Sequence, residues 1–143
     1  MAGTGNRAAG PVIDCAVCVI RDRSRVLIAQ RNEDDSFGGF WEFPGGKKEN
    51  GETLEACAVR EALEEVGLRI EVEKRLMTVR NPYRERHINL HFFLCRAADV
   101  RARPLECRDC RWVEVRELAK YSFPPANETV IAFLRQNPAP ASA

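Results

Sequence analysis

Residues 45–68 read GGKKENGETLEACAVREALEEVGL and place five glutamates and one arginine between residues 52 and 65, beside a pair of glycines. Thr53 stands where the N-cap of a helix is expected, and Gly67 stands where a left-handed C-terminal cap is expected. The pattern therefore predicts a helix over residues 54–66. Surface helices carry charge freely, so the positions of the glutamates on this helix decide what they do.

The predicted helix separates apolar from acidic side chains when its residues are placed at about 100° per residue. The predicted core face consists of Ala56, Val59, Leu63 and Val66, with Ala62 at its edge. Glu61, Glu64 and Glu65 fall on the opposite side at i,i+3 and i,i+4 spacing, where like charges destabilise a helix by roughly a few tenths of a kcal/mol. A divalent cation would remove this repulsion, and oxygen ligands favour Mg²⁺ or Mn²⁺.

An ordinary solvated acidic face is the alternative, with Arg60 and Glu64 as an i,i+4 salt bridge. The residues before the helix favour the metal site. Residues 44–46, Pro-Gly-Gly, predict a tight turn whose backbone can approach a metal or a phosphate closely. Arg60 can hold Glu52 in a bidentate pair and so fix the loop against the helix.

The same stretch resembles the signature of the Nudix hydrolase superfamily at every fixed position. The matching residues are Gly46, Glu52, Arg60, Glu61, Ala62, Glu64, Glu65, Gly67 and Leu68. The resemblance implies an α/β/α sandwich around a mixed β-sheet. It also implies hydrolysis of a nucleoside diphosphate linked to another group, with Mg²⁺ as the cofactor and Mn²⁺ as a substitute. By resemblance, the metal ligands are Glu61, Glu64, Glu65 and the carbonyl of Gly45, and the residues that orient them are Arg60 and Glu52.

The pattern along the rest of the chain fits this α/β (α+β) class. Strands are predicted at residues 12–20, 25–30, about 69–80, 86–96 and 110–115, and a last helix begins near Pro125. Small residues predict mobile tails at residues 1–10 and 137–143, which leaves residues 11–136 as the domain.

Composition excludes several classes of partner. The 143 residues have room for one domain, and the net charge of +1 gives no field for non-specific binding to nucleic acid or membranes. No apolar run approaches membrane-spanning length. We therefore expect a cytoplasmic protein, a monomer that binds a small nucleotide substrate, with no stable nucleic-acid partner and no membrane contact.

Two C-x-x-C pairs, Cys15 with Cys18 and Cys107 with Cys110, raise the question of a zinc site. The first pair lies in a predicted strand, where residues three apart point to opposite faces. Buried or incidental thiols are therefore favoured over zinc.

Three further segments resemble the MutT-like branch, which removes 8-oxo-dGTP from the nucleotide pool: WEFPGGK, RHINL and FPPANETVIAFL. The match implies that Arg31 and Arg86 contact the substrate, that Phe43 is a packing surface and that Asn127 reads the base. Each has an alternative: the arginines can be solvated or can steady a loop, and Phe43 can belong to the core. Asn127 can cap the last helix.

Asn127 has a physical reason to select oxidised guanine. Oxidation at C8 turns N7 from an acceptor into an N–H donor, so one side-chain amide could donate to O6 and accept from N7–H. Ordinary guanine would leave two acceptors facing each other, at a cost of about 1–3 kcal/mol. By resemblance, Glu106 is a further metal ligand or the base that activates water, although a surface glutamate is the alternative there.

The predicted reaction is attack of water on a bridging diphosphate, giving a nucleoside monophosphate and pyrophosphate. A CTP or modified dCTP pyrophosphohydrolase of the same family is one alternative. A non-catalytic recognition module, similar to the MutT-like domain of an adenine glycosylase, is another. Such modules tend to lose metal-binding glutamates, and this chain keeps the full set.

Overall fold

The computed structural model describes residues 12–83 and 86–138. The predicted N-terminal tail, and the predicted C-terminal tail from residue 139 onward, lie outside the described residues. Within the two described ranges, no helix is long and apolar enough to span a membrane.

Seven strands and two α-helices make up the described chain. The strands are β1 (Val12–Asp22), β2 (Arg25–Gln30), β3 (Trp41–Glu42), β4 (Gly45–Lys47), β5 (Ile70–Tyr83), β6 (Arg86–Ala97) and β7 (Asp109–Glu114). The α-helices are α1 (Leu54–Val66) and α2 (Glu128–Gln136), and the 3-10 helices are Val115–Lys120 and Pro125–Asn127. The predicted strands and helices are confirmed, with the last helix beginning as a 3-10 turn at Pro125; β3, β4 and the first 3-10 helix were not predicted from sequence.

The sheet is mixed, as the sequence predicts. The strand order is β3-β2-β1-β6-β5, with β4 paired to β1 and β7 paired to β2. β1 runs parallel to β6 from the pair Val12 and His87 to the pair Ile20 and Cys95. The other pairings are antiparallel. The β-branched and aromatic residues of β1 and β6 therefore occupy the centre of the sheet, where both faces are covered.

Alternate residues of β1 serve two hydrophobic cores, one on each face of the sheet. Ala16, Cys18 and Ile20 pack against α1, in a cluster that contains its Ala58 and Ala62. The intervening residues of β1, which include Val17 and Val19, pack in a second cluster. This cluster also contains Val130 and Leu134 of α2 and Leu118 of the first 3-10 helix. Helices thus cover both faces, and the predicted α/β/α layering is confirmed.

The caps of α1 are those that the sequence predicts. The Thr53 side chain accepts a hydrogen bond from the Ala56 N–H at 3.0 Å. Gly67 adopts a left-handed conformation with φ of 71°, which glycine reaches without the steric cost of a side chain. The two caps set the ends of the helix that carries the acidic residues.

The predicted core face of α1 is correct at Ala62 and Val66 and wrong at its other three positions. Its buried residues are Cys57, Ala58, Ala62, Glu65 and Val66, whereas Ala56 is exposed and Val59 and Leu63 are about 40% exposed. Small residues form the inner face, so the helix can lie close to the sheet, and two of the acidic side chains point toward that face. The apolar moment misled the prediction because it gives the bulky Val59 and Leu63 more weight than alanine and cysteine.

Candidate active site

Arg60 binds three of the carboxylates of the acidic cluster. Its Nε and Nη2 donate to the two carboxylate oxygens of Glu52 at 2.7 and 3.0 Å, which is the predicted bidentate pair. Its Nη1 contacts Glu61 at 3.0 Å and Glu64 at 3.1 Å, and its Nη2 reaches the Lys47 carbonyl at 3.1 Å. This pairing lowers the pKa of Glu52 to about 2 and raises that of Arg60. One guanidinium therefore ties the loop before α1 to the helix and to the end of β4.

The tight turn predicted at residues 44–46 is wrong. The chain bends at Pro44, and the next three residues form β4, which pairs with Cys15–Val17 of β1. The predicted close approach is nevertheless present. A Cβ atom on Gly46 would collide with the carboxyl group of Glu61, and one on Gly45 would collide with the backbone of β1. Glycine is required at these two positions because β4 passes close to its neighbours, and not because the chain turns there.

These two glycines give a matched pair of variants. In Gly46→Ala the new methyl group meets the end of a flexible side chain, so we expect Glu61 to move, with about tenfold or greater loss of activity and a near-native melting temperature. In Gly45→Ala the methyl group meets the β1 backbone, so we expect a lower melting temperature. Thermal unfolding and turnover, measured on both variants, check this. A Gly46→Ala protein with full activity would contradict the placement of Glu61.

Glu65 is a buried carboxylate with little to balance its charge. It is 7% exposed, and its Oε1 accepts one hydrogen bond from the Gly45 N–H at 3.1 Å. Burial, followed by the charge of Glu42 and then those of Glu61 and Glu106, raises its pKa to about 8. The pKa of Glu61 is also raised, chiefly by burial, in spite of Arg60. Two partly desolvated carboxylates with raised pKa values form a site that a cation would stabilise.

The donor set fits a hard divalent cation. All of the candidate side-chain ligands are carboxylates, the ligand type of magnesium and manganese. Among residues 12–83 and 86–138, no three His, Cys, Asp or Glu side chains already converge as a ligand group. Instead, Glu61 and Glu64 contact Arg60, and Glu65 contacts the backbone of β4.

Glu106 is brought to the same cluster by backbone contacts. The N–H groups of Leu105 and Glu106 donate to the Glu65 carbonyl at 3.0 and 3.2 Å, although the Glu106 side chain is exposed. Its charge contributes to the raised pKa values of Glu61 and Glu65. The loop before β7 thus carries an acidic side chain past the C-terminal half of α1.

The surroundings of Cys107 in this loop and of Cys110 in β7 favour the thiol over the thiolate. Cys107 lies 3.9 Å from the Glu65 carbonyl, and burial raises its pKa to about 12. Burial also raises the pKa of Cys110. The thiolate is the reactive form of cysteine, so these raised pKa values make both thiols less reactive at neutral pH. The predicted opposite orientation of Cys15 and Cys18 is confirmed, because Cys18 packs under α1 and Cys15 lines a cavity on the other face.

That cavity, of about 380 Å³, adjoins the acidic cluster and has the size of a small-molecule site. The residues that line it are Cys15, Val17, Arg31, Ser36, Phe37, Glu42, Phe43, Gly45, Gly46, Asn81, Ile88, Leu90, Pro124, Ala126 and Asn127. Three of the four predicted substrate contacts are therefore brought together. Arg86 is not among the described residues of the lining and is exposed at the start of β6.

Arg31 and Phe43 both make structural contacts at the cavity wall. Arg31 pairs with Glu42 at 2.6 Å and donates from Nε to the Ser36 carbonyl at 2.6 Å. These are the loop-steadying contacts that the sequence left as an alternative. Phe43 is 2% exposed and its ring centroid lies 5.5 Å from that of Phe123, so it is a core residue as well as part of the wall.

Asn127 is a buried residue in the wall of the cavity. It is 7% exposed, and its Nδ2 donates to the Pro124 carbonyl at 3.3 Å. Its side chain makes no capping hydrogen bond to α2, so the capping alternative is wrong. Among the described residues, its Oδ1 accepts no hydrogen bond. The amide therefore keeps acceptor capacity for a ligand.

Sequence reasoning missed Phe37, Glu42 and Asn81 in the cavity lining. Alternation in β3 was a usable signal for Glu42, because Trp41 before it is buried. Asn81 is a polar residue opposite Ile88 in the β5–β6 pair, and strand pairing is needed to place it. Phe37 follows a run of acidic residues and precedes two glycines, which gives no indication of its environment.

Comparison with known proteins agrees with this geometry. The model of the NUDIX domain matches residues 16–133. An 8-oxo-dGTP diphosphatase of Escherichia coli (strain K12) is 35% identical over 125 residues, 87% of this chain and 97% of that protein. A CTP pyrophosphohydrolase of the same organism is 28% identical over 116 residues, 81% and 86% of the two chains. A solved structure from a study of MutT in Aliivibrio salmonicida and Vibrio cholerae has a TM-score of 0.70 at 32% identity, covering 84% of this chain and 92% of its own.

Proposed function

The chain belongs to the NUDIX domain family of hydrolases, and from this premise we propose that it is a magnesium-dependent pyrophosphohydrolase whose substrate is 8-oxo-dGTP. The products are 8-oxo-dGMP and pyrophosphate, so the enzyme would remove an oxidised precursor from the nucleotide pool. Similarity to pyrophosphohydrolases of small nucleotides supports the reaction class. The specificity for the oxidised base is proposed from Asn127, which lines the cavity.

One observation carries the proposal: a single cavity is lined by the Asn127 amide and by the glycines of β4, which adjoin the acidic cluster. Gly45 donates to Glu65, and Gly46 leaves room for the Glu61 carboxyl group. A nucleotide with its base at Asn127 would therefore extend its phosphates toward the carboxylates. This supports base recognition and diphosphate cleavage within one site.

The chain's own residues have distinct parts in the proposed reaction. Glu61, Glu64, Glu65, Glu106 and the Gly45 carbonyl would hold the cation, which when bound neutralises phosphate charge and lowers the pKa of water. Arg60 and Glu52 position the helix carboxylates through the contacts described above. A glutamate takes the proton of the attacking water. Water bonds to the β-phosphorus, the bridging oxygen leaves with the nucleoside monophosphate, and pyrophosphate is released.

Hydrolysis of CTP or a modified dCTP is the second candidate. The CTP pyrophosphohydrolase among the relatives favours it. A cytosine ring offers a donor amine and an adjacent ring acceptor, which an asparagine amide can also pair. The two candidates therefore share the phosphate chemistry and differ in the base.

A substrate panel tests the proposal. We expect pyrophosphate release with magnesium to be fastest for 8-oxo-dGTP, when it is compared with dGTP, CTP and dCTP at equal concentrations. We expect Glu61→Gln to lose about 10²-fold or more, because altering even the groups around metal ligands typically costs 10–100-fold.

The same substrate panel provides the control and the result that would contradict the proposed function. Val59→Ala, on the exposed face of the same helix, should retain the wild-type rates. Preference for CTP would replace the base assignment and keep the chemistry. No turnover of any of the four would contradict the proposal.

A further inference from the structure

Phe37 is placed where folding alone gives it little reason to be. It is 49% exposed, it lines the cavity, and its φ of 56° lies in the left-handed region. Bulky residues rarely adopt that conformation, and glycine would adopt it without steric cost. A large apolar side chain that is both exposed and strained points to a role in ligand contact.

The loop that carries Phe37 is held by specific contacts. The Phe40 N–H donates to the Phe37 carbonyl at 3.0 Å, and the two rings pack with centroids 5.5 Å apart at 56°. Arg31 donates to the carbonyl of Ser36, the residue directly before Phe37, at 2.6 Å. These contacts fix the backbone on both sides of the aromatic ring.

Arg31 also connects this loop to the cavity wall. Its Nη1 lies 2.6 Å from the Glu42 carboxylate, and Glu42 lines the same cavity. A guanidinium that binds a loop carbonyl and a wall carboxylate at once sets the position of the loop relative to the wall. Arg31 is therefore suited to position Phe37.

The surroundings of Phe37 suit a planar ligand with polar edges. The same cavity presents the apolar side chains of Phe43, Ile88 and Leu90, together with the amide of Asn127. A nucleobase offers aromatic faces for stacking and edges for hydrogen bonds. Phosphates and sugars offer no such face.

We propose that Phe37 is the stacking platform for the nucleobase at this cavity and that Arg31 is the residue that positions it. The inference rests on the proposed function in one respect, namely that the ligand is a nucleotide. It goes further by assigning base affinity to a residue outside the Nudix signature, on a loop that Arg31 holds.

The test uses two replacements of Phe37 in the full chain. Phe37→Asn removes the ring and keeps a residue that tolerates the left-handed conformation, whereas Phe37→Tyr keeps the ring. We expect the Kd for 8-oxo-dGMP and the KM for 8-oxo-dGTP to rise about tenfold in the asparagine variant and less than about twofold in the tyrosine variant. Calorimetric titration measures the first quantity, and pyrophosphate release measures the second.

A substrate without a base separates stacking from loop structure. The loss in Phe37→Asn should be confined to nucleotides and absent for 2-deoxyribose 5-triphosphate. Arg31→Lys should weaken nucleotide binding in the wild-type background and add little to Phe37→Asn, because the two residues act through one contact. Equal losses with and without a base would overturn the proposal, and so would nucleotide binding that is unaffected by loss of the ring.

The same measurements distinguish this inference from the proposed function. Phe37-dependent nucleotide binding without hydrolysis would support the stacking platform and overturn the enzyme proposal. Hydrolysis that does not depend on the Phe37 ring would support the enzyme proposal and overturn the stacking platform. Absence of both nucleotide binding and hydrolysis would overturn both proposals.

Discussion

Glu65→Gln is expected to make the metal-free protein more stable at pH 8 while reducing activity by roughly 10²-fold or more. The stability gain follows from the buried carboxylate, whose pKa is raised to about 8 chiefly by burial. A neutral amide of the same size avoids that cost and can keep the contact with Gly45 by offering its carbonyl oxygen to the Gly45 N–H. The activity loss follows from removing a proposed cation ligand.

The pH dependence of this effect has a definite sign. A carboxyl group whose pKa is higher in the folded state than in the unfolded state keeps a proton that the unfolded chain releases, so stability falls as pH rises between the two values. For Glu65 the window runs from its ordinary pKa of 4.5 to about 8. The difference between variant and wild type should therefore be near zero at pH 4 and grow to about 4 kcal/mol at pH 8, since each tenfold difference in acid dissociation is worth about 1.4 kcal/mol.

Chemical denaturation in chelator, from pH 4 to pH 8, measures this difference, and Glu64→Gln is the matched control. Glu64 is also a proposed ligand, but its side chain is 46% exposed and pairs with Arg60. We therefore expect Glu64→Gln to lose activity without gaining stability. Magnesium should stabilise the wild type more than Glu65→Gln. A pH-independent difference, or a less stable Glu65→Gln protein at pH 8, would contradict the account of this site.

The parts of the site that the sequence predicts are those set by local spacing. Thr53 and Gly67 define the helix ends through contacts within a few residues, and the Arg60–Glu52 pair joins residues eight apart. The alternating pattern of β1 likewise predicts that Cys15 and Cys18 serve opposite faces. Local geometry is decided by neighbours in the chain, so a single sequence is enough to predict it.

The parts that were missed depend on contacts between distant elements. The acidic residues lie against the sheet because Gly45 and Gly46 of β4 leave room there, and the pairing of β4 with β1 sets the position of these glycines. An amphipathic pattern therefore assigned the inner face of α1 to Val59 and Leu63 and missed Ala58. Alanine and cysteine contribute little to an amphipathic pattern. Their small side chains nevertheless decide which face of the helix can pack closely against the sheet.

The register of the β5–β6 pairing and the fold of the loop after β2 account for the other omissions. Asn81 enters the cavity lining because it is opposite Ile88 across the hairpin. Phe37 does so because Arg31 and Phe40 fix the loop around it. Residue type indicated neither position, because asparagine favours solvent and phenylalanine favours the core, and tertiary contacts placed both at the site.

Asn127→Ala is expected to abolish most of the discrimination between 8-oxo-dGTP and dGTP. The variant loses both the donor and the acceptor that the oxidised base would use, each worth about 0.5–1.5 kcal/mol or more when buried. We expect kcat/KM for 8-oxo-dGTP to fall by about 10²-fold. For dGTP it should fall far less, because ordinary guanine presents two acceptors and pairs with only half of the amide.

The ratio of the two kcat/KM values is the decisive quantity, since damage to the fold would lower both together. Asn137→Ala is a control on the same segment, because its exposed amide binds only the Phe133 carbonyl among the described residues. That control should leave the ratio unchanged. Equal losses for the two substrates in Asn127→Ala would indicate that Asn127 acts by binding the Pro124 carbonyl, 3.3 Å from its Nδ2. They would contradict the proposal that Asn127 recognises the base. A selective loss for 8-oxo-dGTP would instead locate the discrimination in one buried amide, because no other change in the variant distinguishes the N7–H of the oxidised base from the bare N7 of guanine.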